Sequence, residues 1–447
     1  MSTVAYERPV LTRHQVGAMN KFSRVRAMEP QTHIAGVRVE ELVEKYGSPL
    51  FVFSQKTLVA RYRELRDAFA RRFARVRIAW SYKTNYLDAI CTTFHREGAW
   101  AEVVSVFEWE KARHLGIPGD HIHFNGPLKT EEVLRRVVPE GTIIHLDNFD
   151  ELALLERLAE ELGIKPKVAI RVNLAVEAIP AWSRFGFNYE SGQARTAAAR
   201  IIAGGKLTLA GLHCHLGTCI LDPRAYRDQA AKLTALANDL RQAHGLVLSF
   251  LDIGGGFPSH SKLKAQYLPG DQTSPSFDRY AEACAEGMAG LEYPPGQEPM
   301  IVLETGRALV DDAGSMVTTV IANKRMPDGQ RGLVIDAGVN LLFTSYWYEH
   351  DIVPAQPFGG LSEPTVMYGP LCMNIDVVRD TIAFPPMHVG DRLVVRNVGA
   401  YNVTQWMQFI TYRPAVVMVS ASGEHAIIRK AETLETVLGP EQVPPWF

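Results

Sequence analysis

The sequence predicts an α/β protein, with a (β/α)₈ barrel of the TIM type followed by an antiparallel β domain. From about residue 50 to residue 305, short apolar or β-branched runs alternate with longer amphipathic segments, as in parallel βα units. After about Val310 the helical pattern stops, and short strand-like runs follow, joined by turns rich in Gly, Pro, Asp and Asn. An open, doubly wound sheet is the alternative for the first part.

Eight strands and six helices are predicted in the first part. The strands are expected at residues 77–83, 100–105, 121–124, 142–146, 167–173, 208–215, 248–253 and 300–304. The helices are expected at residues 55–73, 107–115, 148–162, 193–203, 224–243 and 277–288, where apolar residues recur at three- and four-residue spacing. Eight strands in about 250 residues suit a closed barrel.

The second part is expected to hold six strands and a short helix. The strands are predicted at residues 317–322, 332–337, 365–368, 391–398, 415–419 and 425–429, and the helix at 432–438. Residues 32–39 show some alternation and are expected to add a strand to this domain. The predicted organisation is an N-terminal segment (residues 1–47), a barrel (48–310) and a β domain (311–447).

Composition and charge narrow the function. The chain has 447 residues and a net charge of -2 with both signs interspersed, which gives no electrostatic footprint for nucleic acid or an anionic membrane. No apolar run approaches the roughly 20 residues of a membrane-spanning helix, and residues 1–26 lack the apolar core of a secretion signal. We therefore expect a cytoplasmic protein that binds a small molecule. The five cysteines have no paired spacing and are expected to be reduced thiols.

Polar or special residues stand at the ends of the predicted strands, which is where a barrel builds its site. In strand order they are Lys83, Ser105, Asn125, Asp147, Arg171 with Asn173, His213 with His215, Gly254-Gly255-Gly256, and Glu304 with Arg307. Lys83 is the most informative of them. An amine at the end of a buried strand has lost hydration, and a desolvated amine can form a Schiff base with an aldehyde.

The three glycines and the two histidines each allow two interpretations. Gly254 to Gly256 offer unobstructed backbone N–H groups for a phosphate, or form a structural turn. His213 and His215 lie on one face of a strand. No third metal ligand follows at suitable spacing, so no metal site is expected. One imidazole is instead expected to lie against a planar cofactor ring, with a core histidine as the alternative.

Glu304 is the candidate partner of a pyridine nitrogen. A carboxylate facing that nitrogen keeps it protonated, and the pyridinium is the electron sink that carbanion chemistry requires. The alternative is a structural salt bridge from Glu304 to Arg307 or Arg171.

Together these features resemble the fold type III pyridoxal phosphate-dependent decarboxylases, the group that contains the diaminopimelate and ornithine decarboxylases. The resemblance runs from about residue 46 to residue 419. Besides the three glycines, it is carried by Ser-Tyr-Lys-Thr-Asn (81–85), Asn-Gly-Pro-Leu-Lys (125–129), Ser-Arg-Phe-Gly (183–186), His-Cys-His-Leu-Gly-Thr (213–218), Glu-Thr-Gly-Arg (304–307), Asp-Ala-Gly-Val-Asn (336–340), Gly-Pro-Leu-Cys (369–372) and Gly-Ala-Tyr (399–401).

The resemblance implies an alanine racemase-like two-domain architecture, the cofactor pyridoxal 5'-phosphate, and a homodimer with shared active sites. It implies catalytic roles for Lys83 (the Schiff-base lysine), His215 (stacked on the ring), Glu304 (at the ring nitrogen) and Cys372 (a proton donor inserted from a second subunit). The implied cofactor-binding residues are Lys83, Glu102, Arg171, His215, Thr218, Gly254, Gly255, Gly256, Glu304, Arg307 and Tyr401. The implied substrate-binding residues are Arg307, Tyr348, Cys372, Met373 and Asp376.

The chain departs from the family where the distal end of the substrate is held. Met373 replaces the acidic residue that contacts a distal ammonium in diaminopimelate decarboxylases, and Thr344-Ser345 replace the Arg-Pro whose arginine grips a distal carboxylate. Glu102 stands where the family usually has Asp. Because an unpaired buried charge is costly, we expect a diamino acid whose distal end is masked or acylated, as in siderophore pathways.

Other activities remain open at this stage. Free meso-diaminopimelate, ornithine or lysine is the alternative substrate, since Asp376 can still pair with an ammonium. An amino-acid racemase is disfavoured by Glu304, because racemases of this fold place Arg at the ring nitrogen. A non-catalytic cofactor-binding regulator is disfavoured because both Lys83 and Cys372 are present.

Overall fold

The computed structural model describes residues 28–180 and 182–447, so residues 1–27 of the predicted N-terminal segment lie outside the described part. The strands in chain order are β1 (His33–Ile34), β2 (Val37–Arg38), β3 (Leu50–Ser54), β4 (Val76–Ser81), β5 (Trp100–Val103), β6 (Ile122–Phe124), β7 (Ile143–Leu146), β8 (Lys167–Asn173), β9 (Phe187–Asn188), β10 (Thr208–His213), β11 (Phe250–Asp252), β12 (Met300–Leu303), β13 (Gly314–Arg325), β14 (Arg331–Ile335), β15 (Ile352–Pro354), β16 (Glu363–Tyr368), β17 (Val377–Phe384), β18 (Arg392–Arg396), β19 (Val416–Val419) and β20 (His425–Arg429).

The helices lie mostly between the barrel strands. They are α1 (Val39–Tyr46), α2 (Gln55–Ala70), α3 (Asp88–Arg96), α4 (Val106–His114), α5 (Glu131–Val137), α6 (Phe149–Leu162), α7 (Gln193–Gly204), α8 (Pro223–His244), α9 (Gly270–Thr273), α10 (Phe277–Met288), α11 (Arg307–Val310), α12 (Asn402–Gln405) and α13 (Leu434–Leu438). No helix among the described residues is long and apolar enough to span a membrane.

The predicted barrel is confirmed. Eight parallel strands are hydrogen-bonded in the order β10-β11-β12-β4-β5-β6-β7-β8, and β8 pairs with β10 to close the cylinder. The open sheet is thereby wrong, because an open sheet would leave β8 and β10 as unpaired edges. The short strand β9 extends β8 outside the ring.

Side-chain caps begin several of the barrel helices directly after a strand. Ser105 Oγ accepts the backbone N–H of Glu108 at 3.2 Å at the start of α4, and Asn148 Oδ1 accepts that of Glu151 at 2.9 Å at the start of α6. Each such cap is worth about 1 kcal/mol. The caps make the chain turn sharply from strand to helix, so the strand ends and their side chains stay at the barrel mouth.

The predicted β domain is present, but it is not purely antiparallel. Its sheet runs β17-β16-β14-β13-β3-β19-β20, and β18 joins β13 to β15. Two pairs, β14 with β16 and β3 with β19, are parallel. One inner strand of this sheet, β3, comes from residues that the sequence assigned to the start of the barrel. It pairs with β13 and β19, both more than 250 residues away along the chain.

The N-terminal segment contributes to the β domain through packing and not through a strand of its sheet. The predicted strand at 32–39 is instead a hairpin, in which β1 and β2 pair with each other. Ile34, Val37 and Leu42 are buried in a cluster with Val52 and Val317 of the large sheet.

The two parts of the chain meet beside Lys83. The predicted strand at 77–83 ends at Ser81, because Tyr82–Thr84 form one turn of 3₁₀ helix. Thr84 O accepts the backbone N–H of Tyr401 at 2.9 Å, and Asn85 Nδ2 donates to Gly399 O at 3.1 Å. The β domain is therefore hydrogen-bonded to the turn that carries Lys83.

Candidate active site

A single layer of polar side chains lies inside the barrel at the C-terminal ends of its strands. We call it the polar layer, and its members are Ser81, Glu102, His123, His145, Arg171, His213, Asp252 and Glu304. Side chains two residues apart face the same side of a strand, and the residues two positions earlier include Ala79, Ile143, Ala169, Phe250 and Val302 of the apolar barrel interior. The barrel is thus apolar in one layer and polar in the next.

Lys83 is an ion-pair partner of the polar layer. Its Nζ lies 2.6 Å from Glu102 Oε2, which also accepts the Ser81 hydroxyl at 2.6 Å. Burial opposes the charge on Lys83, yet the pKa of its amine is raised above its usual value by Glu102, Tyr401 and Glu304. The ion pair with Glu102 therefore favours the protonated amine, and the expected role of Lys83 as the Schiff-base lysine stays a prediction.

Glu304 is held by neutral and cationic donors across the barrel. His213 Nε2 lies 2.9 Å from Glu304 Oε2, and Asn125 Nδ2 donates to the same oxygen at 3.1 Å. Burial opposes ionisation of Glu304, but His213, His145 and Lys83 hold its pKa well below the usual range. Arg171 does not pair with Glu304 directly, because its Nη1 donates to Asn125 Oδ1 at 3.2 Å.

His213 and His215 serve different partners. His213 ends β10 and contacts Glu304, whereas His215 lies beyond the strand and accepts the backbone N–H of Gly255 on Nδ1 at 3.1 Å. Burial, together with the charges of Lys83 and Arg171, lowers the pKa of His215 to about 3, so its ring is neutral. A neutral imidazole suits stacking against an aromatic cofactor.

The glycine loop after β11 is both a tight turn and part of the site. Gly254 and Gly256 have φ of +67° and +96°, and a Cβ at Gly256 would come within 2.5 Å of Gly217 O. The N–H groups of Gly254 and Gly255 already donate within the protein, at 2.8 Å to Asp252 Oδ1 and at 3.1 Å to His215. The three amides are therefore not all free for a phosphate, and Gly256 is the one without an acceptor among the described residues.

Arg307 lies between two tyrosine rings at the junction of the domains. Its guanidinium carbon is 4.4 Å from the ring centre of Tyr348 and 5.0 Å from that of Tyr401. Nη1 lies 3.5 Å from Asp311 Oδ2, so the predicted alternative partner for Glu304 is otherwise engaged. Thr218 is exposed on the loop after β10.

The loop between β16 and β17 carries Cys372, Met373 and Asp376. Cys372 is exposed and Met373 is half-buried. Asp376 is buried, and its carboxylate accepts the backbone N–H groups of Val339 at 2.8 Å and Leu371 at 2.7 Å. Asp376 thus joins two loops, and its expected pairing with a substrate ammonium stays a prediction.

These residues fit pyridoxal 5'-phosphate. Lys83 offers the amine and Glu304 the carboxylate across the barrel, while Gly256 and Arg307 offer donors for a phosphate. Two buried atoms here lack a hydrogen-bond partner among the described residues, Glu102 Oε1 and Arg307 Nε. Unpaired buried polar atoms at a barrel mouth are expected where a ligand completes the hydrogen bonds.

Sequence reasoning missed part of this site. His123, His145 and Asp252 were not singled out, although each lies in the polar layer. Counting inward positions two by two along the strands would have found them, but the strands are only three or four residues long. Such short runs do not fix which face points inward.

Comparison with known proteins agrees with this geometry. Residues 55–311, more than half of the chain, match the family model of the pyridoxal-dependent decarboxylase, pyridoxal binding domain. A diaminopimelate decarboxylase of Bacillus subtilis is 30% identical over 422 residues, covering 91% of this chain and 94% of that protein. The crystal structure of the diaminopimelate decarboxylase from Methanocaldococcus jannaschii superimposes with a TM-score of 0.85 at 27% identity, covering 94% of this chain and 98% of that chain. The chain therefore belongs to the pyridoxal-dependent decarboxylases, carboxy-lyases whose cofactor is pyridoxal phosphate.

Proposed function

We propose that the chain removes the α-carboxylate of a diamino acid whose distal end is masked or acylated, the substrate type of carboxylate siderophore pathways. The observation that carries this proposal is the engagement of Asp376. Asp376 is only 2% exposed and each of its oxygens accepts a backbone amide from a packed loop at 2.7–2.8 Å, so a free distal ammonium has little access to it. Met373 beside Cys372 supplies no charge in its place.

The position expected to grip a distal carboxylate is neutral as well. Thr344 is buried, and its hydroxyl lies 2.9 Å from both His350 Nε2 and Asn402 Oδ1. Ser345 is also buried, with no hydrogen-bond partner for its hydroxyl among the described residues. A charged distal group bound here would pay a desolvation cost of several kcal/mol without a full partner.

Each residue of the site has a separate role in the proposed decarboxylation. Bound pyridoxal phosphate supplies an electron sink for the electron pair that departing CO₂ leaves at Cα. Lys83 would hold the cofactor covalently, Glu304 would pair with its ring nitrogen and the neutral His215 ring would lie against its face. Arg307 supplies a cation for an anionic group at the mouth. A thiol such as Cys372 is a suitable donor of the proton that Cα then needs.

Cys372 points to a second copy of the chain as part of the site. It is exposed, and loops of the β domain expose six further large apolar side chains: Tyr346, Trp347, Ile375, Phe409, Ile410 and Tyr412. Contiguous exposed apolar surface commonly marks an interface. We expect a homodimer in which each Cys372 serves its partner's Lys83. Mixing inactive Lys83→Ala and Cys372→Ala proteins should restore activity, because mixed dimers then hold one complete site. Failure of two well-folded dimeric variants to complement would contradict the shared site.

Release of CO₂ from purified enzyme tests the substrate. N-acylated diamino acids should be decarboxylated with a much higher kcat/KM than meso-diaminopimelate, ornithine or lysine. Comparable rates would contradict the proposal. Met373→Glu should improve the kcat/KM for a free diamino acid, whereas the neutral control Met373→Gln should not.

Free meso-diaminopimelate is the second candidate. Relatives at 27–30% identity are diaminopimelate decarboxylases, and one solved relative, from M. jannaschii, is a complex with L-lysine. Arg307 is the observation in this chain that favours it, since a guanidinium can receive a distal carboxylate. Preference for meso-diaminopimelate over its N-acylated forms would establish this candidate.

A further inference from the structure

Glu304 belongs to a buried cluster that the proposed reaction does not otherwise use. Beneath it lie His123, His145 and Asp252, all fully buried in the barrel. His145 lies between two other imidazoles, with ring centres 5.0 Å from His123 and 4.8 Å from His213. Burying three imidazoles and two carboxyl groups together is costly unless their protons are shared in an ordered way.

The contacts fix one direction for the protons on the imidazoles. His123 Nδ1 lies 3.0 Å from His145 Nε2, so one nitrogen donates and the other accepts. His145 Nδ1 has no hydrogen-bond partner among the described residues, and the nearest acceptor given for it is Glu304 Oε1 at 3.7 Å. If His145 carried its proton on Nε2, the lone pair of Nδ1 would face the Glu304 carboxylate, which is repulsive. The favoured arrangement is therefore His123 Nδ1–H to His145 Nε2, with His145 Nδ1–H directed at Glu304.

Asp252 completes the cluster in its protonated form. Its Oδ1 accepts the backbone N–H of Gly254 at 2.8 Å, and its Oδ2 lies 3.5 Å from His123 Nδ1. Burial and the nearby charge of Glu304 raise the pKa of Asp252 well above its usual value. Two carboxylates buried side by side do not both ionise. Glu304 has the better donors, so it keeps the charge, and Asp252 keeps the proton and shares it with Glu304, because His123 Nδ1 is itself a donor.

Burial also keeps the two imidazoles neutral. It lowers the pKa of His123 to about 4 and that of His145 well below its usual value. Neutral imidazoles each have one N–H to place, which agrees with the directed chain.

We propose that His123, His145 and Asp252 are positioning residues that hold Glu304 ionised and aimed at the cofactor ring nitrogen. This inference rests on the proposed role of Glu304 in the decarboxylase. The three residues do not contact the reacting atoms. They act through Glu304, as the outer partners of catalytic and metal-binding groups commonly do.

A metal ion is the competing explanation for the same cluster. One ligand atom each from His123, His145, Asp252 and Glu304 lies within 4.8 Å of the others. A cation bound there would occupy the Glu304 carboxylate and neutralise the charge that the ring nitrogen needs. The positioning role therefore requires that the negative charge of Glu304 stay available to the ring nitrogen, whereas a bound cation would remove it.

The test replaces each imidazole by a phenyl ring, which has no N–H to donate and no nitrogen to accept a hydrogen bond. His145→Phe and His123→Phe keep aromatic volume beside Phe250, and His121→Phe, at a half-buried histidine stacked on Trp100 outside the cluster, is the matched control. The holoenzymes are prepared with pyridoxal phosphate labelled with ¹⁵N in the ring, and the nitrogen signal is read by solid-state NMR. Circular dichroism of each variant establishes that it is folded, and His123→Phe provides a second variant should His145→Phe not fold.

We expect the ring-nitrogen signal of the two cluster variants to move toward the unprotonated position. We also expect kcat/KM to fall about 10- to 100-fold through kcat. His121→Phe should change neither. Asp252→Asn places an N–H donor where the protonated Oδ2 stands, so its ring-nitrogen signal should stay near the wild-type position. The ring-nitrogen signal of Asp252→Leu should move toward the unprotonated position. Folded cluster variants with an unshifted nitrogen signal would overturn the proposal, and so would stoichiometric metal in the wild-type enzyme by mass spectrometry.

Glu304→Gln separates this inference from the proposed function. If Glu304→Gln shifts the ring-nitrogen signal and the cluster variants do not, the positioning role fails while the role of Glu304 stands. If Glu304→Gln leaves the signal unchanged, the role of Glu304 itself fails.

Discussion

The buried ion pair between Lys129 and Glu151 offers a measurable link between barrel stability and the site. Lys129 Nζ lies 2.8 Å from Glu151 Oε1, and both side chains are buried. Lys129 also donates to Gly126 O, next to Asn125, the residue that donates to Glu304. Glu151 Oε2 in turn accepts the backbone N–H of Asp147 at 2.8 Å. The pair therefore holds the loop after β6 against the start of α6.

Glu151→Gln should destabilise the protein strongly. It leaves the Lys129 ammonium buried without a counter-charge, which typically costs about 3–5 kcal/mol. The net stability of a folded protein is about 5–15 kcal/mol, so the loss is a large share of it. Replacing both partners, as in Lys129→Met with Glu151→Gln, removes the buried charges together and keeps an acceptor for the Asp147 N–H, so it should be less destabilising than Glu151→Gln alone.

Guanidinium chloride unfolding of the apoprotein, followed by circular dichroism, measures this difference. Glu131→Gln is the matched control, because Glu131 is also ion-paired, with Arg135 and Arg157, but at the surface. Surface ion pairs contribute little, so its unfolding midpoint should hardly move. Equal midpoints for Glu151→Gln and Glu131→Gln would refute the reasoning, and so would a double variant as unstable as Glu151→Gln.

Three further predictions concern the site and the surface. Asp376→Asn should lower the free energy of unfolding by about 1–3 kcal/mol, because one buried backbone amide loses its acceptor, and a raised KM at unchanged stability would contradict this. Lys83→Ala should abolish the visible absorption band of protein-bound pyridoxal phosphate, whereas the surface control Lys232→Ala should retain it. Arg72 and a neighbouring arginine lower the pKa of Asp278 to about 2, below its usual 3.8, so its stabilisation is present above the unfolded-state pKa and is lost as the pH falls through about 2. Asp278→Asn should therefore cost up to about 1 kcal/mol at pH 6 and progressively less as the pH falls toward and below about 2, and a pH-independent cost would contradict the assignment.

The barrel could be predicted from the sequence because its signal is local. Each βα unit carries its own alternation of apolar runs and caps, and three predicted elements, β8, β20 and α10, have the bounds that the structure gives them. The helices α3 and α5 were missed, since nine and seven residues give a weak periodic signal. Strand β17 was also missed, because polar residues on an exposed edge strand dilute the apolar pattern.

Properties that depend on distant partners could not be predicted. Leu50–Ser54 has the sequence of a barrel strand, and its place in the β domain follows from pairing with β13 and β19. Asp376 shows the same limit within the site. Its position after Cys372 suggested a substrate contact, but the amides of Val339 and Leu371, brought near by the fold, use both of its oxygens.

The polar layer explains why this barrel is built in two contrasting levels. A barrel interior made for stability alone is filled with branched apolar side chains, and the layer around Phe250 follows that rule. One layer higher, buried atoms of His123, His145, Asp252 and Glu102 lack hydrogen-bond partners among the described residues. Each such atom costs about 1–3 kcal/mol, and the cost is concentrated at the level where Lys83 and Glu304 face each other. Stability at this level is given up to hold the groups that face the site, which is why the apolar layer below and the capped helices outside must carry the fold.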